Sequence, residues 1–210
     1  MTRKLWSILT IVILTAGIVC LTGCENENGN DKGGKVVADG TVKVRLATTE
    51  GDIVLHLDSK KSPVTVANFV QYVNDGFYDG LIFHRVIPNF MVQTGGFDND
   101  LNKKAPRPPI VNETTNKVRN LRGTIAMARS NALDSATSQF FINHKDNPSL
   151  DFDGPYGGYA VFGAVVEGMH VVDEIAKAMQ QPKVAKNGQP LKNCPAENVI
   201  IISAKVVTDE

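Results

Sequence analysis

From Val42 onward the chain alternates. Val42, Val44 and Leu46 fall on one side of an extended segment, and Lys43 and Arg45 on the other. Neighbouring residues of a strand point to opposite faces, so this pattern describes a strand with one buried and one solvated face. Ile53, Leu55 and Leu57 repeat it after Glu50-Gly51-Asp52, and the two segments read as a β-hairpin. The period then changes. Ser62-Pro63 sets a capping residue before a first-turn proline. Val66, Phe69, Val70 and Val73 follow at helical spacing, up to a stop at Asn74-Asp75-Gly76. Short apolar runs come next, at 81–87, 90–93, 124–128, 139–143 and 159–166. A second helix is expected over 169–179, with Val172, Ile175, Ala176 and Met179 inward, and a last strand over 199–207. Many short strands with two helices predict an all-β barrel or sandwich with helices as lids. Closing the sheet on itself would protect its edges.

The N-terminus follows another pattern. Arg3 and Lys4 precede residues 5–19, which contain no charge. This is the positive head and apolar core of an export signal. A retained transmembrane helix is the alternative, but a stretch of that length rises only about 22 Å, and a span needs about 20 apolar residues. Leu21-Thr22-Gly23-Cys24 resembles the lipobox of bacterial lipoproteins, in which the chain is cut before the cysteine and its thiol is acylated. Cys20 follows the bulky Val19 and fits that pattern less well. The expected organisation is a signal peptide removed over 1–23, a lipidated Cys24 with a flexible tether over 24–40, and a folded domain over 41–210. Residues 25–34 hold no apolar side chain and three glycines, so they can bury nothing. As a coil they would span about 17 Å. Two acyl chains suffice for stable anchoring. The expected location is therefore outside the cytoplasm, with the lipid of Cys24 in a bilayer and the domain facing the periplasm or cell exterior.

Composition narrows the function classes. Lys plus Arg is 22 and Asp plus Glu is 22, so the formal net charge is zero, and a nucleic-acid partner is not expected. Loss of Arg3 and Lys4 with the signal would leave the domain slightly acidic. Three cysteines are too few for a disulfide scaffold. Cys194 sits in Asn193-Cys194-Pro195 without a neighbouring histidine and reads as a loop thiol outside any chemistry. His56, His84, His144 and His170 lack metal-ligand spacing, and His84 alternates with Arg85 as a packed residue of the barrel. Asp98-Asn99-Asp100 and Asp151-Phe152-Asp153-Gly154 lack the closing glutamate of a calcium loop and read as turns. No G-x-S-x-G elbow is present. The loop at 97–109, with Lys103, Lys104 and Arg107, reads as solvated.

Three segments are more specific. They are Phe83-His84-Arg85-Val86-Ile87-Pro88-Asn89-Phe90-Met91-Val92-Gln93, Arg122-Gly123-Thr124-Ile125-Ala126-Met127-Ala128-Arg129, and Ser138-Gln139-Phe140-Phe141-Ile142-Asn143 followed by Tyr159-Ala160-Val161-Phe162-Gly163. In order and spacing they resemble the cyclophilins, the peptidyl-prolyl cis/trans isomerases, and most of all the exported bacterial forms. The resemblance covers about Val42 to Val207. It implies a closed eight-stranded antiparallel β-barrel capped by two α-helices, acting as a monomer on proline-containing polypeptides and assisting the folding of exported proteins.

The chemistry itself asks for little. Rotation about an X–Pro bond is opposed by amide resonance, a barrier of about 18–20 kcal/mol, and no bond is made or broken. No nucleophile, metal or cofactor is therefore expected. The reaction needs a pocket for the proline ring and a polar group that prefers the twisted amide, whose nitrogen regains a lone pair. The resemblance assigns that donor to Arg85, with Gln93 orienting it. It assigns Phe90 and Met91 to the pocket wall, Phe141 to its base and Leu150 to its edge. Ala128, Arg129 and Gln139 fall where the family binds substrate, and Tyr159 stands where many members have histidine. Ser149 replaces the tryptophan that many carry before the pocket leucine. A proline-binding holder without turnover is the rival reading, and an intact Arg85, Phe90, Gln93 and Phe141 set favours the enzyme.

Overall fold

The structure is a computed structural model. It describes residues 40–207. The expected export signal, Cys24 and nearly all of the tether lie outside the described residues.

Strands β1 (Thr41–Thr48) and β2 (Gly51–Asp58) pair from Thr41↔Asp58 to Thr48↔Gly51. Val42, Val44, Leu46, Ile53, Leu55 and Leu57 are all buried, as their alternation requires. The turn falls at Thr49-Glu50, one step before the expected position, because Gly51 already belongs to the ladder.

Helix α1 (Pro63–Asn74) begins where the Ser62-Pro63 signal puts it, but Ser62 does not cap it. The Ser62 hydroxyl donates instead to the Val161 carbonyl at 2.9 Å. The free N–H groups of the first turn go to a residue distant in sequence. Val64 and Thr65 donate to the Glu113 carboxylate at 3.1 and 2.8 Å. A negative charge there also suits the positive end of the helix dipole. Val66, Phe69 and Val73 are buried, and Val70 packs partly exposed beside them. The Phe69 ring lies 5.1 Å from those of Tyr78 and Phe140 and 5.2 Å from that of Phe162. The helix thus shares its apolar face with the inner face of the strands.

The remaining elements are β3 (Arg85–Ile87), β4 (Met91–Thr94), β5 (Thr124–Met127), β6 (Phe140–Asn143), β7 (Val161–Glu167), α2 (Met169–Lys177), β8 (Lys183–Val184), β9 (Pro190–Leu191) and β10 (Ile201–Val207). Eight strands form one antiparallel sheet in the order β10-β1-β2-β7-β5-β6-β4-β3, and β8 pairs only with β9. The sheet is curled but open, which corrects the expected closed barrel. Its edge strands β10 and β3 do not pair. The expected strand at 81–87 breaks at His84. Ahead of the break, Ile82 donates to Phe97 and Phe83 to Val199, while Ile201 donates to Leu81. The seam is therefore crossed by a single bridge, Ile82↔Ile200, rather than by a ladder. After the break, β3 pairs with β4, and on its other side Val86 donates to the Asn193 carbonyl. That bond covers an edge that would otherwise be bare.

Three further expectations change. Helix α2 stops at Lys177, Ala178 turns extended, and Met179 is 80% exposed rather than inward. Val172, Ile175 and Ala176 do face the core. The loop at 97–109 is partly tied down. Lys104 Nζ lies 4.6 Å from the Phe77 ring centroid, and the Arg107 guanidinium lies 4.8 Å from that of Tyr72 while pairing with Asp75. Cys194 is wholly buried against Ile82, Phe97, Ala185 and Leu191, and burial raises its pKa. It is a packed apolar group, which removes the conditions for a reactive thiolate.

Candidate active site

The site starts from strand register. Arg85 pairs with Gln93, Gln93 with Phe141, and Phe141 with Ala126. Paired residues project from the same face, so these four form a row across β3, β4, β6 and β5. Their chain neighbours Val86, Val92, Ile142 and Ile125 project from the opposite face, and all four belong to the main core. The row lies on the outer face of the sheet. There Met91, Ala126, Phe141 and Val161 form a second apolar cluster, with Phe90, Ala128, Leu150 and Tyr159 packed at its margin.

A cleft of about 150 Å³ opens over this cluster. It is lined by Arg85, Phe90, Met91, Gln93, Ala128, Arg129, Phe141, Leu150 and Tyr159. Every catalytic or substrate-binding residue expected from the sequence therefore lines the cleft except Gln139, which stands behind it. Two larger hollows, of about 220 Å³ beside His56, Asp58 and Lys61 and about 420 Å³ beside Glu50, Glu174 and Lys177, bring no comparable set of groups together.

Arg85 is half-buried, with its guanidinium held on two sides. Its Nη1 donates to Gln93 Oε1 at 3.2 Å, and the group lies 5.8 Å from the Phe90 ring centroid. Met91 Sδ is 3.8 Å from the same nitrogen. Burial lowers the pKa of Arg85, and Tyr159 acts in the opposite direction. Arginine starts so high that it stays charged. Gln93 Nε2 in turn donates to Gln139 Oε1 at 3.0 Å. Among the described residues, the chain Arg85–Gln93–Gln139 leaves the other guanidinium N–H groups available for a ligand. Gly96 makes room for it, since a Cβ there would come within 2.7 Å of Gln139 Nε2.

The opposite margin is aromatic. The Phe141 and Tyr159 rings meet at 5.6 Å and 75°, an edge-to-face contact. The Arg129 guanidinium lies 5.0 Å from the Tyr159 centroid, and its Nε donates to Gly158 O at 2.9 Å. Ala128 donates its backbone N–H to Gln139 O at 2.9 Å. Leu150 ends a short 3-10 turn, Pro148–Leu150, in which Ser149 is exposed. The cleft thus offers an apolar floor between two held cations, the half-buried Arg85 on one margin and Arg129 on the other. Its lining has no serine or cysteine nucleophile.

Sequence reading missed the groups beneath the cleft. Asn120, Asn143 and Asn147 are buried and hydrogen-bonded to one another. His144 Nδ1 accepts from the Asn89 N–H at 2.9 Å while its Nε2 meets Asp173 at 3.1 Å. Asn89 itself has a φ of 57°, which asparagine tolerates better than most residues. The run Asn89-Phe90 followed by a cluster of asparagines was the available signal, but partners that far apart have no periodicity.

The comparisons agree with this geometry. The family model for cyclophilin type peptidyl-prolyl cis-trans isomerase/CLD matches residues 42–206. Peptidyl-prolyl cis-trans isomerase A of Dickeya dadantii is 54% identical over 164 residues, covering 78% of this chain and 84% of that protein. Peptidyl-prolyl cis-trans isomerase B of Escherichia coli is 46% identical over 166 residues, covering 78% and 98%. The crystal structure of a cyclophilin type isomerase from Cryptosporidium parvum superposes with a TM-score of 0.66 at 22% identity, over 81% of this chain and 99% of that one. That last likeness speaks for the fold, and the bacterial relatives for the activity. With a whole-domain match and relatives at this identity, the chain belongs to the cyclophilin-type peptidyl-prolyl cis-trans isomerases and is an isomerase.

Proposed function

We propose that Arg85 drives the isomerisation by donating to the proline nitrogen of the twisted amide. Phe141, Met91, Phe90 and Leu150 hold the proline ring, and Gln93, backed by Gln139, fixes the guanidinium. The single observation that carries this reading is the position of the Arg85 guanidinium beside the apolar floor, bonded to Gln93 at 3.2 Å. In the planar amide the nitrogen lone pair is delocalised and accepts poorly. In the twisted amide it is localised and accepts well. A donor fixed in advance then stabilises the transition state more than either ground state. Tyr159, Arg129 and the backbone of Ala128 border the place where the residue before proline would lie. Partial burial strengthens the interaction by keeping water from competing.

A proline-peptide isomerisation assay tests this reading. Arg85→Ala is expected to lower kcat/KM by about 10²–10³-fold, or about 3–4 kcal/mol, with peptide affinity retained. Loss of binding in proportion to rate would make Arg85 a binding group instead. An unmutated chain that binds proline peptides without turning them over would favour a holding role.

The substrates on this reading are flexible proline-containing segments of exported polypeptides, met by a monomeric domain on a lipid tether. What supports the location is the order Arg3-Lys4, an uncharged stretch at 5–19, then Leu21-Thr22-Gly23-Cys24. Mass spectrometry of the purified N-terminus is expected to find diacylated Cys24 as the first residue, and an intact Met1 would refute the anchor.

A further inference from the structure

Two residues at the cleft come from loops with no ladder between them. Phe90 belongs to the β3–β4 turn, and Leu150 ends the 148–150 turn. Their main-chain carbonyls are joined by three buried carboxamides. Asn147 Nδ2 donates to Phe90 O at 2.8 Å and to Asn143 Oδ1 at 2.7 Å. Asn143 Nδ2 donates to Asn120 Oδ1 at 3.2 Å, and Asn120 Nδ2 donates to Leu150 O at 3.0 Å.

The chain begins and ends on a carbonyl, so it needs a donor at both ends and an acceptor at each internal step. Asn147 meets it with two donations from one N–H₂, and Asn143 and Asn120 each with an accepting oxygen and a donating N–H₂. An aspartate or leucine of the same size would not. The three side chains are 1%, 0% and 3% exposed for Asn120, Asn143 and Asn147. Loss of either Asn–Asn link would leave a buried amide oxygen without its donor, whereas Asn143 Nδ2 also donates to Thr124 Oγ1 at 2.9 Å and Leu150 O also accepts from the Tyr159 N–H. Further bonds fix its ends. Asn120 N–H donates to Asp151 Oδ1 at 2.6 Å, and His144 N–H donates to Phe90 O at 3.0 Å.

We infer that Asn120, Asn143 and Asn147 are positioning residues that set the distance between Phe90 and Leu150, and so the ring size that the proline pocket accepts. The inference rests on the pocket assignment above. An apolar pocket distinguishes substrates differing by one methylene by about 10–200-fold when its walls are fixed. Walls that can move apart lose that discrimination, because the larger ring then fits without overlap.

The test is the ratio of kcat/KM for a proline peptide to that for the same peptide with pipecolate, the six-membered-ring homologue. It is measured on the full-length chain and on Asn147→Ala, with a thermal melt for each. The unmutated chain is expected to prefer proline strongly. Asn147→Ala should lower the ratio by about fivefold or more, chiefly by gaining on pipecolate relative to proline. A variant that merely loosens the fold lowers both rates alike, and an unchanged ratio would overturn the inference. If Asn147→Ala does not fold, Asn120→Ser at the other end of the chain gives the same reading. No turnover of proline by the unmutated chain would sink the isomerase mechanism itself, which is a different result from an unchanged ratio.

Discussion

His84 is the neighbour of Arg85 in sequence, yet it faces the interior. It is 5% exposed, its ring lies 4.9 Å from that of Phe97, and its Nδ1 has no hydrogen-bond partner among the described residues. Burial lowers its pKa from 6.5 to about 4, hydrogen bonding with the Ile82 backbone and Gln139 opposes the shift, and the charge of Arg85 adds to it. The folded protein thus keeps a neutral imidazole at pH values where the unfolded chain takes up a proton. The stabilisation is fully present above about pH 6.5 and is lost as the pH falls towards about 4, a loss of about 3 kcal/mol. Urea unfolding between neutral pH and about pH 4 is expected to show a steeper decline than in His84→Phe, and equal declines would contradict it. Alternation with Arg85 made the burial of His84 legible in the sequence. Its contact with Gln139 was not, because that partner is brought up by another strand.

Among elements, what periodicity could show depended on how different the two faces were. The β1–β2 hairpin and α1 have one apolar and one polar face, and both form as the pattern predicts, with the hairpin turn one step early. The segments that build the cleft are apolar on both faces. Met91 beside Val92, and Phe141 beside Phe140, give no alternation to read, and register against β3 and β5 decides which faces the core. For that reason the family resemblance supplied the site residues and spacing alone did not. β8 and β9 have two residues each and leave no pattern at all. The N-terminus of α1 is a case where a local signal misled. Ser62 looks like its cap, whereas Glu113 does the work from another part of the chain. Glu113→Ala is expected to lower the unfolding free energy by about 1 kcal/mol with isomerase activity unchanged. Denaturant titration with a parallel assay checks this, and no change in stability would return the capping role to solvent.

At the scale of the molecule, one curled sheet does two jobs on its two faces. The inner face, with α1 and α2, makes the core, and the outer face of β3, β4, β5 and β6 makes the cleft. At the seam between β3 and β10 the Leu81–Phe83 backbone makes one bridge, Ile82↔Ile200, and no ladder, so the sheet stays open. The eight strands of the main sheet were legible in the sequence, but closure was not, since it depends on whether two distant edges meet. The central claim is that the fixed guanidinium accelerates rotation rather than binding. NMR exchange spectroscopy on a proline peptide at saturating protein measures the cis–trans rate on the enzyme, apart from affinity. Arg85→Ala is predicted to slow that bound exchange by about 10²–10³-fold while the peptide Kd stays close to that of the unmutated chain. An on-enzyme rate left unchanged by the substitution would contradict the account.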